Sequence, residues 1–450
     1  MEPTKLKTVM TVAVLISGAI LVVAVGGGGS VTARQALGIG IDFGGRDVVW
    51  TDMDLHAFED PIDALENACE ENGLTFTVDD RTVSEIDGIT ANSIRTWDLW
   101  VVPTGDLAWK KLADTNVNLL HFTVSMWAFC SKTEQPTVAV DQVGNSIYGF
   151  PKTQRTVTLS PSLTEIIGSL NAVNTLVGVD KDSNYPNEVI NRQSKGDITI
   201  IGDYSSPSYE LILNASPDMV FCDGSMYSHF EMSERLWKVG INSLVMYKGE
   251  SIDTILDNIF IMGVAMKYEM RALAVIEMIE DAMDVLTESL MSEGTSFVTT
   301  LVSLSPDKAP WVSGSYTYMD DILTQVFGEN VFSDNNGWIH TNSEEIALRN
   351  PSVVIIVTGK YSATQEEYDE VMKSLSGELE ETDAYKNGRI YMLADGACDL
   401  ASRAGPRCAQ IMEIVARIMH TGAFDGVEIN KFIGSDYEKC LTFTKDLGFG

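Results

Sequence analysis

Apolar and polar positions along this chain fall into two regimes. Between residues 36 and 148 the apolar runs are short and alternating, with one helical stretch among them. In that stretch, Pro61 to Asn72, the residues Ile62, Leu65 and Cys69 recur at helical spacing, and Gly73 suits a helix C-cap. Thr75–Val78 and Leu99–Val102 read as strands, so residues 36–148 are predicted to form a small α+β domain. From Arg155 the pattern changes. Thr156–Leu159, Leu176–Val179, Met219–Asp223 and Ser243–Tyr247 read as buried strands separated by amphipathic helices. Strands alternating with helices predict βαβ units and a mostly parallel sheet. A second α/β unit follows, with strands near Phe297–Val302, Val353–Val357 and Ile390–Leu393 and helices over Met319–Phe327 and Cys408–His420.

Between the two units lies a long helical region. Ser251 is placed to cap it, and Ile252, Ile255, Leu256 and Ile259 mark one face. The pattern falters between Gly263 and Tyr268, resumes through Val275, Ile279, Met283, Leu286 and Leu290, and stops at Gly294. A proline-free helix of that length spans roughly 37 Å. The predicted fold class is therefore α/β: two Rossmann-like lobes, residues 154–265 and 295–422, joined by a single long helix, 268–293. Residues 423–450 read as a tail packed on the surface, with no role assigned.

Charge narrows the partners. The 450 residues carry a formal net charge of −33, which excludes nucleic acid, since phosphate binding needs a basic surface. It also argues against docking on an anionic lipid surface. At the N-terminus, Lys5 and Lys7 precede an uncharged run, Thr8 to Val25, and then Gly26-Gly27-Gly28-Gly29-Ser30. A basic flank, an apolar run and a flexible spacer predict export, with residues 1–30 acting as a signal peptide or as a membrane-anchoring apolar helix plus linker. No cysteine follows closely enough to take a lipid anchor. Six cysteines permit disulfides outside the cytoplasm, with Cys69–Cys130 and Cys398–Cys408 the first pairs to test and free buried thiols an equal alternative. The five histidines form no HxH or HExxH motif, so a bare transition-metal site is not expected.

Several segments then line up in order. RTVTLSPSLTEII from Arg155, GVDKDSNYP from Gly178 and GDYSSPSYELILNASPDMV from Gly202 lie in the first lobe. Trp311 to Leu323, Phe327-Gly328-Glu329-Asn330, Asn342 to Ile356 and Gly405-Pro406-Arg407 lie in the second. Together these resemble the helical-backbone class of ABC transporter substrate-binding proteins for cobalamin, iron siderophores and haem, over about residues 154–422. Residues 36–148 resemble the transcobalamin-like β-grasp module, on Asp63-Ala64-Leu65, Ile86-Asp87-Gly88-Ile89 and Trp97 to Trp100.

Ligands of such units bind at the carboxyl ends of strands. The loops there supply Tyr185, Tyr204, Trp311, Tyr316, Tyr318 and Trp338 as candidates for the flat faces of a bulky ligand. The resemblance implies ligand contact for Tyr204 and Trp338 in particular. Arg403 is a candidate for a ligand carboxylate, whereas Arg407 reads better as half of a salt bridge inside its lobe. Glu210 and Glu344 each stand at a helix start, seven residues before a proline. The resemblance implies that they dock on a membrane permease served by its ATPase, while the helix dipole alone also favours carboxylates there. His340, two residues after Trp338, could reach a ligand's metal but reads better as solvent-facing.

The resulting expectation is a monomeric extracytoplasmic binding protein with no catalytic residues and no cofactor of its own. A corrinoid is the first ligand, a ferric siderophore the second and haem the third. Two other classes stay open: a corrinoid- or tetrapyrrole-modifying enzyme, and a surface adhesion protein. The enzyme class lacks a GxSxG elbow, a Walker loop and a GxGxxG after a strand.

Overall fold

In the computed structural model, residues 36–375, 377, 379–424, 429–445, 447 and 449 are described. The apolar run Thr8–Val25 and its glycine linker lie outside them. Among the described residues, no helix is long and apolar enough to cross a membrane.

Alternation in the N-terminal region builds a five-stranded sheet in the order Val48–Asp52, Gly38–Asp42, Phe122–Ser131, Arg95–Pro103, Lys110–Lys111. Gly38–Asp42 and Phe122–Ser131 are parallel; the other neighbours are antiparallel. The helix Pro61–Asn72 crosses one face. Asp60 caps it by accepting from Ile62 N–H, and Gly73 ends it at φ 67°. It buries Leu65 against Ile39, Ile41, Leu99 and Trp127.

The opposite face of this sheet is not free. Val102, Val124 and Met126 belong to the same buried cluster as the two helices that follow the first lobe. Arg46 pairs with Asp257 at 3.1 Å and Glu280 at 3.5 Å on those helices. Residues 139–147 then form a turn that meets the strand Asn242–Met246 at Val245. Val245 N–H donates to the Asp141 carboxylate at 2.8 Å, and Gln142 N–H donates to Val245 O at 2.9 Å. The module is thus packed into the first lobe.

That lobe holds a parallel five-stranded sheet in the order Thr199–Ile200, Leu176–Val179, Thr156–Thr158, Met219–Asp223, Asn242–Met246. Ser251 and Thr254 form a capping box at the start of Ile252–Met266. Lys267, at φ 64°, breaks the helix where the pattern faltered, and Glu269–Ser292 continues as a second helix of 24 residues. The two pack closely because Gly263 has no side chain: a Cβ there would lie 2.4 Å from Ala272 Cβ. The second lobe's sheet runs Trp338–His340, Trp311–Ser313, Val298–Ser303, Val353–Val357, Ile390–Leu393, Phe432–Ile433, with Gly328–Asn330 also pairing Val298–Ser303.

The structure decides one open alternative and overturns one expectation. The six cysteines are all free. Cys69 and Cys130 face different buried clusters on opposite sides of the N-terminal sheet, so they are not bridged. Cys398 contacts Ser402 at 3.7 Å while Cys408 is in the core, so this pair is not bridged either. The segment after residue 423 is no surface tail. Phe432–Ile433 adds a parallel strand to the sheet, and Tyr437, Cys440, Leu441, Leu447 and Phe449 are buried. The fully buried Glu413 explains why: its carboxylate accepts from the N–H groups of Thr442, Phe443 and Thr444, from Thr444 Oγ1 and from Arg417.

Candidate functional site

The carboxyl ends of the first lobe's strands present Tyr204 on a loop pinned from beneath. His229 is buried on the helix Tyr227–Lys238, and its Nδ1 accepts from Asp223 N–H at 2.9 Å. That leaves the proton on Nε2, which donates to Tyr204 O at 2.7 Å. Burial holds the imidazole below its ordinary pKa and so favours this neutral form. The Tyr204 ring meets the His229 ring edge-on at 5.4 Å, and its hydroxyl lies 3.0 Å from Ser225 Oγ. Burial, then the charge of Asp223, pushes the Tyr204 phenol up to about 12. Tyr204 therefore stays a neutral, half-buried, oriented ring at physiological pH. Sequence reasoning missed His229, because a single histidine inside a helix carries no spacing signal.

In the second lobe an antiparallel pair, Trp311–Ser313 with Trp338–His340, sits at the sheet edge. Val312 and Ile339 turn into the core. Residues directly opposite in such a pair share a face, so Trp311, His340 and Trp338 all point outward. Trp311 is 51% and Trp338 37% exposed, and the Trp311 and His340 rings meet edge-on at 5.6 Å. The turn before Trp338 is locked to the loop carrying Tyr316 through Gly314 N–H to Gly337 O and Gly337 N–H to Ser315 O. Tyr316 sits at φ 59°, a strained conformation for a residue with a side chain, and is 70% exposed.

Three sequence candidates are placed elsewhere. Tyr318 opens the helix Tyr318–Gln325 and is buried, its ring inside the core beneath the loops. Arg403 has no face left for a ligand. Its Nη1 donates to Glu165 at 3.0 Å and to Asn184 at 2.7 Å, and its Nη2 donates to Asp182 O and pairs with Asp399. Tyr185 is half-buried with its ring under the Arg407 guanidinium, 4.1 Å from the centroid. Arg407 is indeed salt-bridged, but across the lobes: Nε donates to Glu165 Oε2 at 2.8 Å and Nη2 to Oε1. Glu165, 1% exposed, thus gathers two arginines of the second lobe onto a helix of the first. Further contacts join the lobes at Asn184–Asp399 and from Ile252 N–H to Asp321.

Glu210 and Glu344 occupy matched helices. Tyr209–Ala215 and Ser343–Arg349 are each seven residues long. Each is capped by a polar side chain, Ser208 or Asn342, and ended by a left-handed residue, Ser216 or Asn350. Both glutamates are the second residue of their helix and are exposed. Among the described residues, no group of three or more His, Cys, Asp and Glu side chains could hold a metal ion.

Comparison with known proteins adds to this geometry. The sequence profile described as "periplasmic binding protein" matches residues 156–396, more than half of the chain. An uncharacterized ABC transporter substrate-binding lipoprotein of Bacillus subtilis, YvrC, is 26% identical over 296 residues, 65% of this chain and 88% of its own length. Among solved structures, a periplasmic heme-binding protein of Pseudomonas aeruginosa is similar with a TM-score of 0.52 at 19% identity, covering 60% of this chain and 94% of that one. Helicobacter pylori CeuE, in a nickel–histidine complex, gives 0.52 at 21% identity, covering 67% and 93%.

Proposed function

The chain belongs to the periplasmic binding protein family, and from that premise we propose that it captures a corrinoid between its two lobes outside the cytoplasm. As a monomer it then delivers this ligand to an ABC importer, a permease with its ATPase. It acts by binding and not by catalysis. The relationship to a substrate-binding lipoprotein supports the transport role. The observation that carries the ligand class is the outward aromatic face Trp311, His340 and Trp338, with the anchored ring of Tyr204 on the other lobe. Flat, half-exposed rings suit a large macrocycle with apolar faces and a polar rim. Glu210 and Glu344, at equivalent places on the two lobes, are the docking carboxylates, and the acidic surface steers the protein to basic permease loops. The N-terminal module reads as a β-grasp unit. Its hairpin, crossing helix and parallel central pair of first and last long strands support that reading.

Haem is the second reading, favoured by His340: an exposed imidazole beside Trp311 is a candidate axial ligand for iron. A ferric siderophore loses its main support, because Arg403 is committed to Glu165.

The test is a titration of the full chain in mild detergent with cyanocobalamin, haemin and a ferric hydroxamate, followed by tryptophan fluorescence. Binding of cyanocobalamin at micromolar levels is expected; binding of none of the three sinks the capture reading. Trp338→Ala should weaken the bound probe about tenfold, the typical effect of losing one stacking ring. Glu344→Ala should leave that affinity unchanged and reduce uptake into cells carrying the importer. Undiminished uptake would remove the docking role.

A further inference from the structure

The wall of the first lobe does not end at its edge strand. Residues 139–147 of the N-terminal module fold into a turn whose Asp141 and Gln142 bond to Val245, near the carboxyl end of the strand Asn242–Met246, the end where ligands of α/β sheets bind. There Gln142 bridges two loops: its Nε2 donates to Gly224 O at 3.2 Å, and its Oε1 accepts from Lys248 N–H at 2.9 Å. Gly224 is shaped for this contact, because a Cβ there would lie 2.0 Å from Gln142 Oε1 and 2.3 Å from Met246 O. The next residue, Ser225, holds the Tyr204 hydroxyl. The module therefore reaches to within one residue of the Tyr204 anchor.

Beyond Gln142 the turn is held by the buried Asp141, which accepts from the N–H groups of Val143 and Asn145. On this fixed turn Val143 is 46% exposed, and the neighbouring Leu107 is 51% exposed. Leu107 Cδ2 lies 3.2 Å from where a Cβ on Gly144 would be, so the two loops abut. Two large aliphatic side chains thus stand exposed on abutting loops beside the Gln142–Gly224 contact.

We infer that Leu107 and Val143 of the N-terminal module form a third wall of the ligand cleft, packing on the apolar edge of a macrocyclic metal chelate held against Tyr204. This rests on the capture reading. The module then sets the size of ligand accepted and is no passive appendage.

The double variant Leu107→Asp, Val143→Asp of the full chain tests this, with cyanocobalamin and haemin as probes. Both side chains are exposed, so melting should not change. The dissociation constant of whichever probe the wild type binds should rise about tenfold, as expected for losing two aliphatic contacts and desolvating two charges. Gln142→Ala, which cuts the turn's ties to Gly224 and Lys248 without changing the aliphatic pair, should weaken the same probe several-fold. If the aspartates lower the melting point, Leu107→Ser with Val143→Ser decides by the same criterion. A wild type that binds alongside a double variant that binds equally well overturns the third wall alone. A wild type that binds neither probe overturns it together with the capture reading.

Discussion

Replacing Glu413 with alanine should destabilise the protein by about 3–5 kcal/mol, the usual cost of leaving one member of a buried ion pair without its partner. The carboxylate is fully buried, and Arg417, 2% exposed, has no other acid within reach among the described residues. Three backbone N–H groups and the Thr444 hydroxyl would lose their acceptor at the same time. The denaturation midpoint should fall, and hydrogen exchange at Thr442, Phe443 and Thr444 should speed up more than elsewhere. The double change Glu413→Met, Arg417→Met should recover much of the loss, because a packed apolar pair avoids desolvating two charges. A single variant that loses less than about 1 kcal/mol would show that the carboxylate does not hold this segment.

Glu165→Ala should be comparably severe, about 3–5 kcal/mol, and should also loosen one lobe against the other. Here two arginines lose one acid. Arg407 is 5% and Arg403 9% exposed, and neither has another buried carboxylate as partner. Burial alone would lower the Arg407 pKa, but the Glu165 charge and hydrogen bonds outweigh it and the net shift is upward. Loss of that carboxylate therefore turns a stabilised cation into a buried, uncompensated one. Glu165→Gln keeps an acceptor oxygen and should cost less. The distinguishing readout is interlobe geometry: small-angle scattering of Glu165→Ala should broaden in dimensions, while Glu413→Ala should not. Identical profiles for both would assign Glu165 to local stability only.

Much of the fold was legible because both regimes of the sequence obey simple periodicity. Leu176–Val179, Met219–Asp223, Val353–Val357 and Ile390–Leu393 stand out as strands because they are short apolar runs in a sheet covered on both faces. The break at Lys267 was visible as a lapse in the helical pattern. The antiparallel partners Trp311–Ser313 and Trp338–His340 were not, since three-residue strands carry no usable period. The sites were less legible than the fold. Trp311, Trp338 and Tyr316 are exposed, yet Tyr318, two residues from Tyr316, is buried, because the helix it opens turns that side chain inward.

Arg403 illustrates the other failure. Its partner Glu165 lies 238 positions away, so no local pattern links them. A signal did exist: Glu165 is the one charge between Thr156 and Leu170, and Glu413 and Arg417 are the only charges between Cys408 and Met419. A carboxylate inside an otherwise uncharged helix, such as Glu165, demands a partner from elsewhere in the fold, here the two arginines of the second lobe.

The seam at Asn242–Met246 closes off the edge strand of the first lobe's sheet. All five residues of this strand are buried, and its outer edge is covered by Asp141 and Gln142. Trimming the chain to the two lobes would uncover an apolar strand with unpaired backbone groups, the kind of edge that templates intermolecular β-pairing. Such a truncated chain is expected to self-associate into β-rich aggregates.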